Sequence, residues 1–320
     1  SPMEPSADAL VFGGEQFVET AVFAPRESEG RGSGPAAQGA PGFRNAPDSD
    51  PALPANRQWA REIVGRIDRS MAGDETIDAA HISDPEVLRE VVARVRDAAI
   101  AWGARPAAER SDVLAAAAAS LEARRGELIE VAASETGKVF GEGDIEVSEA
   151  VDFARYYSAT ARELDRVSGA VFVPSRVTVV TPPWNFPIAI PGGGVLAALA
   201  AGSGVVLKPA HQPRRCAAVV AEALWDAGVP RDLLALVALD ESALGQQLVT
   251  HPDVDRVILT GAWETAQLFR SWRPDLALLA ETSGKNAMIV TPSADLDLAA
   301  ADLVKSAFGH AGQKCSAASL

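Results

Sequence analysis

From residue 177 to 208 the chain reads V-T-V-V-T-P-P-W-N-F-P-I-A-I-P-G-G-G-V-L-A-A-L-A-A-G-S-G-V-V-L-K. Val177–Thr181 is a short β-branched run, which favours a strand. Residues 187–201 carry a long apolar pattern opened by proline, which suits a helix start, and Gly202-Ser203-Gly204 ends it. Residues 205–208 return to β-branched character and finish on Lys208. A strand, a helix and a strand joined by short turns make a βαβ unit, whose two strands lie parallel.

The same grammar continues toward the C-terminus. A helix is predicted over 213–227, closed by Gly228, then a strand over 233–237 and a helix over 241–249. Arg256–Thr260 is the next strand, followed by a helix over 262–272 and strands over 276–280 and 287–290. A last helix, over 295–307, has Asp295 as its cap and Leu296, Leu298, Leu303 and Val304 as its apolar residues. The fold class predicted is α/β, a doubly wound, mostly parallel, Rossmann-like sheet.

Toward the N-terminus the pattern is helical. Periodicity begins near Asn56, with Trp59, Ile63 and Ile67 on one face. Ser83-Asp84-Pro85-Glu86 has capping-box spacing ahead of a helix running through Val87, Val91, Val95 and Ile100. Further helices are predicted over 106–125, over 127–136 ending at Gly137, and over 144–164. Residues 1–43 have linker composition, rich in Gly, Pro, Ser and charge, and are expected to be a flexible extension.

The 320 residues are 48% hydrophobic and 22% charged, enough for a large core. A net charge of -14 repels phosphate backbones and anionic lipid surfaces, which argues against nucleic acid and membrane surfaces as partners. The longest apolar run, 192–207, is too short and too glycine-rich to span a bilayer. Residues 1–4 carry no basic, then apolar, leader pattern. Cys216 and Cys315 are too few for a disulfide framework, so a reducing cytoplasm is expected. The four histidines are scattered and no metal-ligand spacing occurs. The chain does not begin with methionine and stops in mid-pattern at Leu320, so a piece of a longer protein is expected.

Open parallel sheets bind ligands at the carboxyl ends of their strands. That rule singles out the turns at 182–187, 208–211 and 260–263. In the first, Asn185 reads either as a helix N-cap or as an amide donor to an oxyanion. Lys208-Pro209 places an ammonium at a strand end, where it is either solvated or in contact with ribose hydroxyls or phosphate. Thr260-Gly261-Ala262 joins a strand to a helix whose first amides can face a phosphate. Glu281 ends another strand among apolar neighbours, A-L-L-A-E, which implies burial. Cys315 sits in F-G-H-A-G-Q-K-C-S-A, with Lys314 beside it to favour the thiolate and Gly309 and Gly312 to let backbone approach a reacting atom. Alone, such a cysteine is more often a small buried hydrophobe, and Cys216 is read as one.

In this order the motifs resemble the aldehyde dehydrogenase superfamily: P-W-N-F-P at 183–187, K-P at 208–209, L-T-G-A at 259–262, E-T-S-G-K at 281–285 and G-Q-K-C at 312–315. The resemblance covers roughly residues 44–320. Its wording is similar to the glutamate-γ-semialdehyde dehydrogenases of proline degradation, in E-T-S-G-K-N-A at 281–287, F-G-H-A-G-Q-K-C-S-A at 308–317 and F-R-N-x-P-D-S-D at 43–50. Such enzymes occur alone or fused behind a proline dehydrogenase. The resemblance implies a dinucleotide-binding domain with N-terminal helices over 44–284 and the start of a catalytic domain over 285–320. It implies Cys315 as nucleophile, Asn185 as oxyanion donor and Glu281 as the base that activates water. It implies NAD as cofactor, with NADP possible, held by Pro183, Trp184, Lys208, His211, Thr260, Gly261 and Ala262. Ser316, Phe186 and Glu149 would bind the substrate, a small aldehyde. A homo-oligomer is expected, and no metal.

Other readings are a dehydrogenase for another small aldehyde such as succinate semialdehyde, an acyl-phosphate reductase, or a non-catalytic cofactor-binding relative. The first stays open. Acyl-phosphate reductases need no water-activating glutamate, so Glu281 argues against the second, and the three reactive residues together argue against the third. The chain departs from the family's pattern at His211, where a ribose-binding glutamate is usual, at Ala262, where serine is common, and at Ala266, where glycine is usual. His211 is expected to relax discrimination between NAD and NADP. The family's catalytic domain extends well past the cysteine, so residues 1–320 alone are expected to be inactive and poorly soluble.

Overall fold

The computed structural model describes residues 43–239 and 243–319. All of the expected linker except Phe43 lies outside the described residues, as do Glu241 and Ser242 of the helix predicted over 241–249. Helices α1 (Pro54–Val64), α2 (Asp74–Ala79), α3 (Pro85–Gly103), α4 (Ala107–Ala123), α5 (Arg125–Thr136) and α6 (Phe140–Ala161) come first. The alternating part follows as β1 (Val177–Thr181), α7 (Ala189–Ala200), β2 (Gly204–Leu207), α8 (Arg214–Asp226), β3 (Leu234–Leu236), α9 (Ala243–Thr250), β4 (Arg256–Thr260), α10 (Trp263–Trp272), β5 (Ala277–Glu281) and α11 (Leu296–Phe308).

The strands form one sheet in the order β3-β2-β1-β4-β5, and every pairing is parallel. The order reverses at β1, so the crevice at its carboxyl end, between the connections leaving β1 and β4, is the topological switch point. Successive side chains of the strands enter opposite cores, as the period of two requires. Val180, Val205, Leu207, Leu234 and Leu236 join the cluster under α4 to α8. Val177, Val179, Val206, Val257 and Leu259 join the one under α3, α9 and α10. Both faces of β1 and β2 are buried, which is why β2 reads as an apolar run and β1 as valines broken only by threonine.

Several expectations shift. Asp84, not Ser83, caps α3, accepting the Glu86 amide at 2.8 Å. The helix buries Leu88, Val91, Val92, Val95, Ala99 and Trp102, so Val87 and Ile100 face outward. The short α2 carries too few residues to show a period. Residues 287–290 are not a strand: only Asn286 forms an isolated bridge, to Ala318, and Met288, Ile289 and Val290 are exposed. The β-branched pattern was there, but no partner strand lies beside it among the described residues. Asp295 caps α11 as expected, accepting from the amides of Asp297 and Leu298. Leu296, Leu298, Leu303 and Val304 are nonetheless exposed, and Ala307 is the residue that α11 buries.

Helix α7 lies hard against both α6 and β1. A Cβ at Gly193 would stand 2.9 Å from the Phe153 ring, and one at Gly194 would stand 2.8 Å from Val180 Cγ1. At the head of α7 is a buried ion pair. Lys138 and Glu146 are in contact, and neither side chain is exposed to solvent. Glu146 accepts from the amides of Ile188 (2.7 Å) and Ala189 (3.0 Å), capping a helix that has no side-chain cap of its own. Lys138 also lies 4.1 Å from the centroid of the Phe186 ring. Burial pushes the Glu146 carboxyl up, opposed by the Lys138 ammonium and the two amides. The pair therefore pins residues 186–189, immediately after Asn185, to α6.

Removing one member of a buried pair strands the other, at a cost of about 3–5 kcal/mol. Lys138→Met is expected to lower unfolding free energy in urea by about that much. Lys138→Met combined with Glu146→Gln, which keeps an acceptor for the two amides without the charge, is expected to recover part of it. A cost for the single substitution below about 1 kcal/mol would contradict the role given to the pair.

Candidate active site

A cavity of about 630 Å³ opens at the carboxyl ends of β1, β2, β4 and β5. Pro183, Trp184 and Asn185 line it from the turn after β1, and Lys208 from the end of β2. Thr260, Gly261 and Ala262 line it from the turn before α10, Glu281 from the end of β5, and Cys315 from the loop after α11. Residues as far apart in sequence as Thr181 and Cys315 thus meet in one crevice, because parallel connections bring every βα turn to the same edge. Lys208 is the one cation and Glu281 the one carboxylate among the lining residues.

Asn185 is not a helix cap. Helix α7 begins at Ala189, with its first amides held by Glu146, and the Asn185 carboxamide donates to the Gln313 carbonyl. A carboxamide carries two N–H groups, and holding one of them sets the plane of the other. The turn after β1 and the cysteine loop are thereby joined directly.

Glu281 is exposed rather than buried. Its strand, β5, is the sheet's edge, pairing with β4 alone and covered by α10 on one face, so its apolar sequence does not translate into burial. Cys315 is exposed and Cys216 fully buried, with burial raising the Cys216 thiol well above its ordinary range. The two cysteines therefore divide as the sequence suggested, one accessible and one in the core.

Four residues expected at the site do not line the cavity. His211 is exposed, and its neighbour Gln212 takes the place on the wall. Ser316 is exposed on the cysteine loop. Phe186 is occupied from two sides, by Lys138 and by the His310 ring at 5.5 Å between centroids. Glu149 is half-buried on α6, where burial first and the nearby Glu146 second push its carboxyl up.

Three residues hold the loop, of which the sequence singled out Lys314 alone, and for another task. The Asn286 carboxamide, just beyond β5, donates to the carbonyls of Cys315 and Ala317, the latter at 3.0 Å, tying the strand that carries Glu281 to the cysteine. Lys314 pairs with Glu142 of α6 at 3.1 Å. His310 approaches the Asn185 carbonyl at 3.3 Å. Asn286 and His310 are ordinary polar residues in the sequence, and only the proximity of His310 to Cys315 could have drawn notice. Among the described residues no helix is long and apolar enough to cross a membrane, and no group of three or more His, Cys, Asp and Glu is placed to hold a metal.

The model of the aldehyde dehydrogenase family matches residues 66–320. The 1-pyrroline-5-carboxylate dehydrogenase 2 of Bacillus subtilis is 34% identical over 284 residues, 83% of this chain and 52% of that protein. The structure of Proline Utilization A (PutA) from Corynebacterium freiburgense superposes with a TM-score of 0.77 at 50% identity, covering 86% of this chain and 27% of that one. The 1-pyrroline-5-carboxylate dehydrogenase from Thermus with bound NAD superposes with a TM-score of 0.78 at 29% identity, covering 87% of this chain and 62% of that one. The chain thus spans about half the length of the Bacillus relative and about a quarter of the Corynebacterium one. With the match running through the P-W-N-F-P turn, the carboxylate at the end of β5 and the G-Q-K-C loop, the chain belongs to the aldehyde dehydrogenase family.

Proposed function

We propose that this chain is the dinucleotide-binding part and the start of the catalytic part of an NAD-dependent dehydrogenase that oxidises L-glutamate γ-semialdehyde to L-glutamate. The observation that carries this reading is the meeting of Asn185, Glu281 and Cys315 in one cavity with Lys208 and the Gly261 turn. The relatives named for 1-pyrroline-5-carboxylate dehydrogenase and Proline Utilization A support this substrate and a part in proline degradation. Residues 44–284 form the dinucleotide-binding domain in this reading, and 285–320 begin the catalytic domain. A fused or partner proline dehydrogenase, a homo-oligomer and a cytoplasmic setting that keeps Cys315 reduced belong to the same proposal.

The cavity fits a dinucleotide. Its volume lies in the range of small-molecule sites, about 300–1,000 Å³. Val249, Leu268 and Trp272 give an apolar wall between α9 and α10 for a purine, Lys208 offers a cation at the ribose, and the N-terminus of α10 faces the Gly261–Ala262 turn. A bound nicotinamide supplies the hydride acceptor. The remaining work falls to the chain. The Cys315 thiolate attacks the aldehyde carbon, and the oxyanion that forms is stabilised by the Asn185 carboxamide and the Cys315 amide. Glu281, exposed at the rim, takes a proton from water as that water attacks the thioester, and the Cys315 thiolate is released with the carboxylic acid. Lys314, next to Cys315 in the chain, has Glu142 as its counter-ion.

In the complete gene product, NADH formation is expected with glutamate γ-semialdehyde in clear preference to succinate semialdehyde, and Cys315→Ala is expected to abolish it. Ser316, Phe186 and Glu149 do not line the cavity, which leaves another small aldehyde as the second reading. Equal or reversed preference would favour that reading, and activity surviving Cys315→Ala would defeat the mechanism. Glu281 is the one carboxylate on the walls, and at position 211, beside the lining residue Gln212, the chain has His211 and no carboxylate to repel an added 2′-phosphate. The kcat/KM ratio of NAD over NADP is expected to stay within about 100-fold, roughly 2.7 kcal/mol. A ratio above about 1,000, roughly 4 kcal/mol, would contradict that expectation.

A further inference from the structure

The loop that carries Cys315 is not held by packing: α11 before it buries Ala307, and the residues from Ala311 to Gln313 are exposed. It is also conformationally costly. His310 (φ 53°, ψ 38°) and Ala311 (φ 53°, ψ 29°) both adopt the left-handed region, which non-glycine residues sustain only where the surroundings hold them there. Gly312 follows at φ 72°. Two left-handed non-glycine residues in succession, five and four positions before the nucleophile, call for an external restraint.

The His310 side chain supplies one. Its Nε2 lies 3.3 Å from the Asn185 carbonyl oxygen, which can only accept, so Nε2 carries the hydrogen. Its ring lies on Phe186, at 5.5 Å between centroids and 43° between planes. Phe186 is in turn fixed from behind by Lys138. The imidazole faces Lys138, Glu142 of α6 and Lys314 of its own loop. Burial first and the Lys138 charge second hold its pKa below the ordinary histidine value, so it is neutral near pH 7. A second rung runs the other way, from the Asn185 carboxamide to the Gln313 carbonyl.

We infer that His310 is a positioning residue: it clamps the left-handed loop to the backbone of Asn185 and so sets the Cys315 sulfur against the Asn185 carboxamide. Its bearing on catalysis rests on the dehydrogenase reading above; the clamp itself does not. His310 touches neither substrate nor cofactor in this scheme and acts through the two residues that do.

The test uses the complete gene product with His310→Asn and His310→Gln. Asparagine is at ease in the left-handed region, so a defect cannot be laid to backbone preference, but it is too short to reach the Asn185 carbonyl. Glutamine restores a donor of suitable length. Amide hydrogen exchange is expected to quicken in His310→Asn by about fivefold, the net worth of one hydrogen bond, in both 183–189 and 308–317, and to recover in His310→Gln. The aldehyde-dependent single-turnover step is expected to slow by about tenfold or more, with the KM for NAD unchanged, because misaligned groups lose rate rather than cofactor affinity. Alkylation of Cys315 by iodoacetamide, which needs a thiolate but no oxyanion donor, is expected to be unchanged, and buried Cys216 does not interfere. Exchange that is unaltered, or faster in 308–317 alone, would overturn the clamp. Alkylation falling in step with the aldehyde reaction would also overturn it, since His310 would then act on the thiol itself. A wild-type protein that forms no NADH from any aldehyde would end the dehydrogenase reading, while the exchange result would still decide the clamp.

Discussion

The Lys138–Glu146 pair is the constraint on which the rest of the site depends. A fully buried ion pair gains little net stability, because desolvating two charges offsets most of their attraction. What it provides here is registry. Glu146 reaches two backbone amides at the head of α7 while Lys138 lies against the Phe186 ring, so one helix, α6, dictates where the turn after β1 stands. The same helix presents Glu142 to Lys314. Its opposite side receives the segment before α1, where Asp144 accepts from Ser49 and Asp152 accepts from Asn45 and the Ala46 amide. Helix α6 is thus tied on one side to the chain's incoming segment and on the other to both halves of the candidate site.

Built this way, the site has a rigid side and a tethered side. The turns after β1, β2 and β4 leave a sheet whose central strands are buried on both faces, and their positions follow from the parallel register. Glu281 and Cys315 sit farther out, one on the edge strand and the other on a loop after an apolar but exposed helix. Asn286, His310, Lys314 and the Asn185 carboxamide join these outer pieces to one another and to the sheet by polar contacts. A site divided between packed and tethered elements keeps its cofactor wall fixed while its reactive residues depend on a few hydrogen bonds.

Much of this was legible in the sequence. The bounds of β1 and β4 were read to the residue, and the turns at the strand ends were named as the ligand edge, because period-two runs alternating with helical ones leave few topologies. What could not be read was burial that depends on neighbours. A-L-L-A-E looks like a core strand, yet β5 is an edge and Glu281 is exposed. Leu296, Leu298, Leu303 and Val304 have a helical pattern but no covering element among the described residues. Taken alone, Asn185 read more readily as a cap than as an oxyanion donor, and only the long-range contact of Glu146 with the α7 amides settled that it is not a cap. Asn286, His310 and Lys138 act across 29, 125 and 48 residues respectively, and such contacts leave no local trace.

The central claim is a division of labour in which Cys315 forms the covalent bond and Glu281 serves only its hydrolysis. Glu281→Gln, made in the complete gene product and mixed with NAD and aldehyde, tests it most directly. The account predicts a burst of NADH no larger than one equivalent per site, with the acyl adduct found on the Cys315 peptide by mass spectrometry and released slowly. Sustained turnover near the wild-type rate, or a burst with no adduct on Cys315, would contradict it.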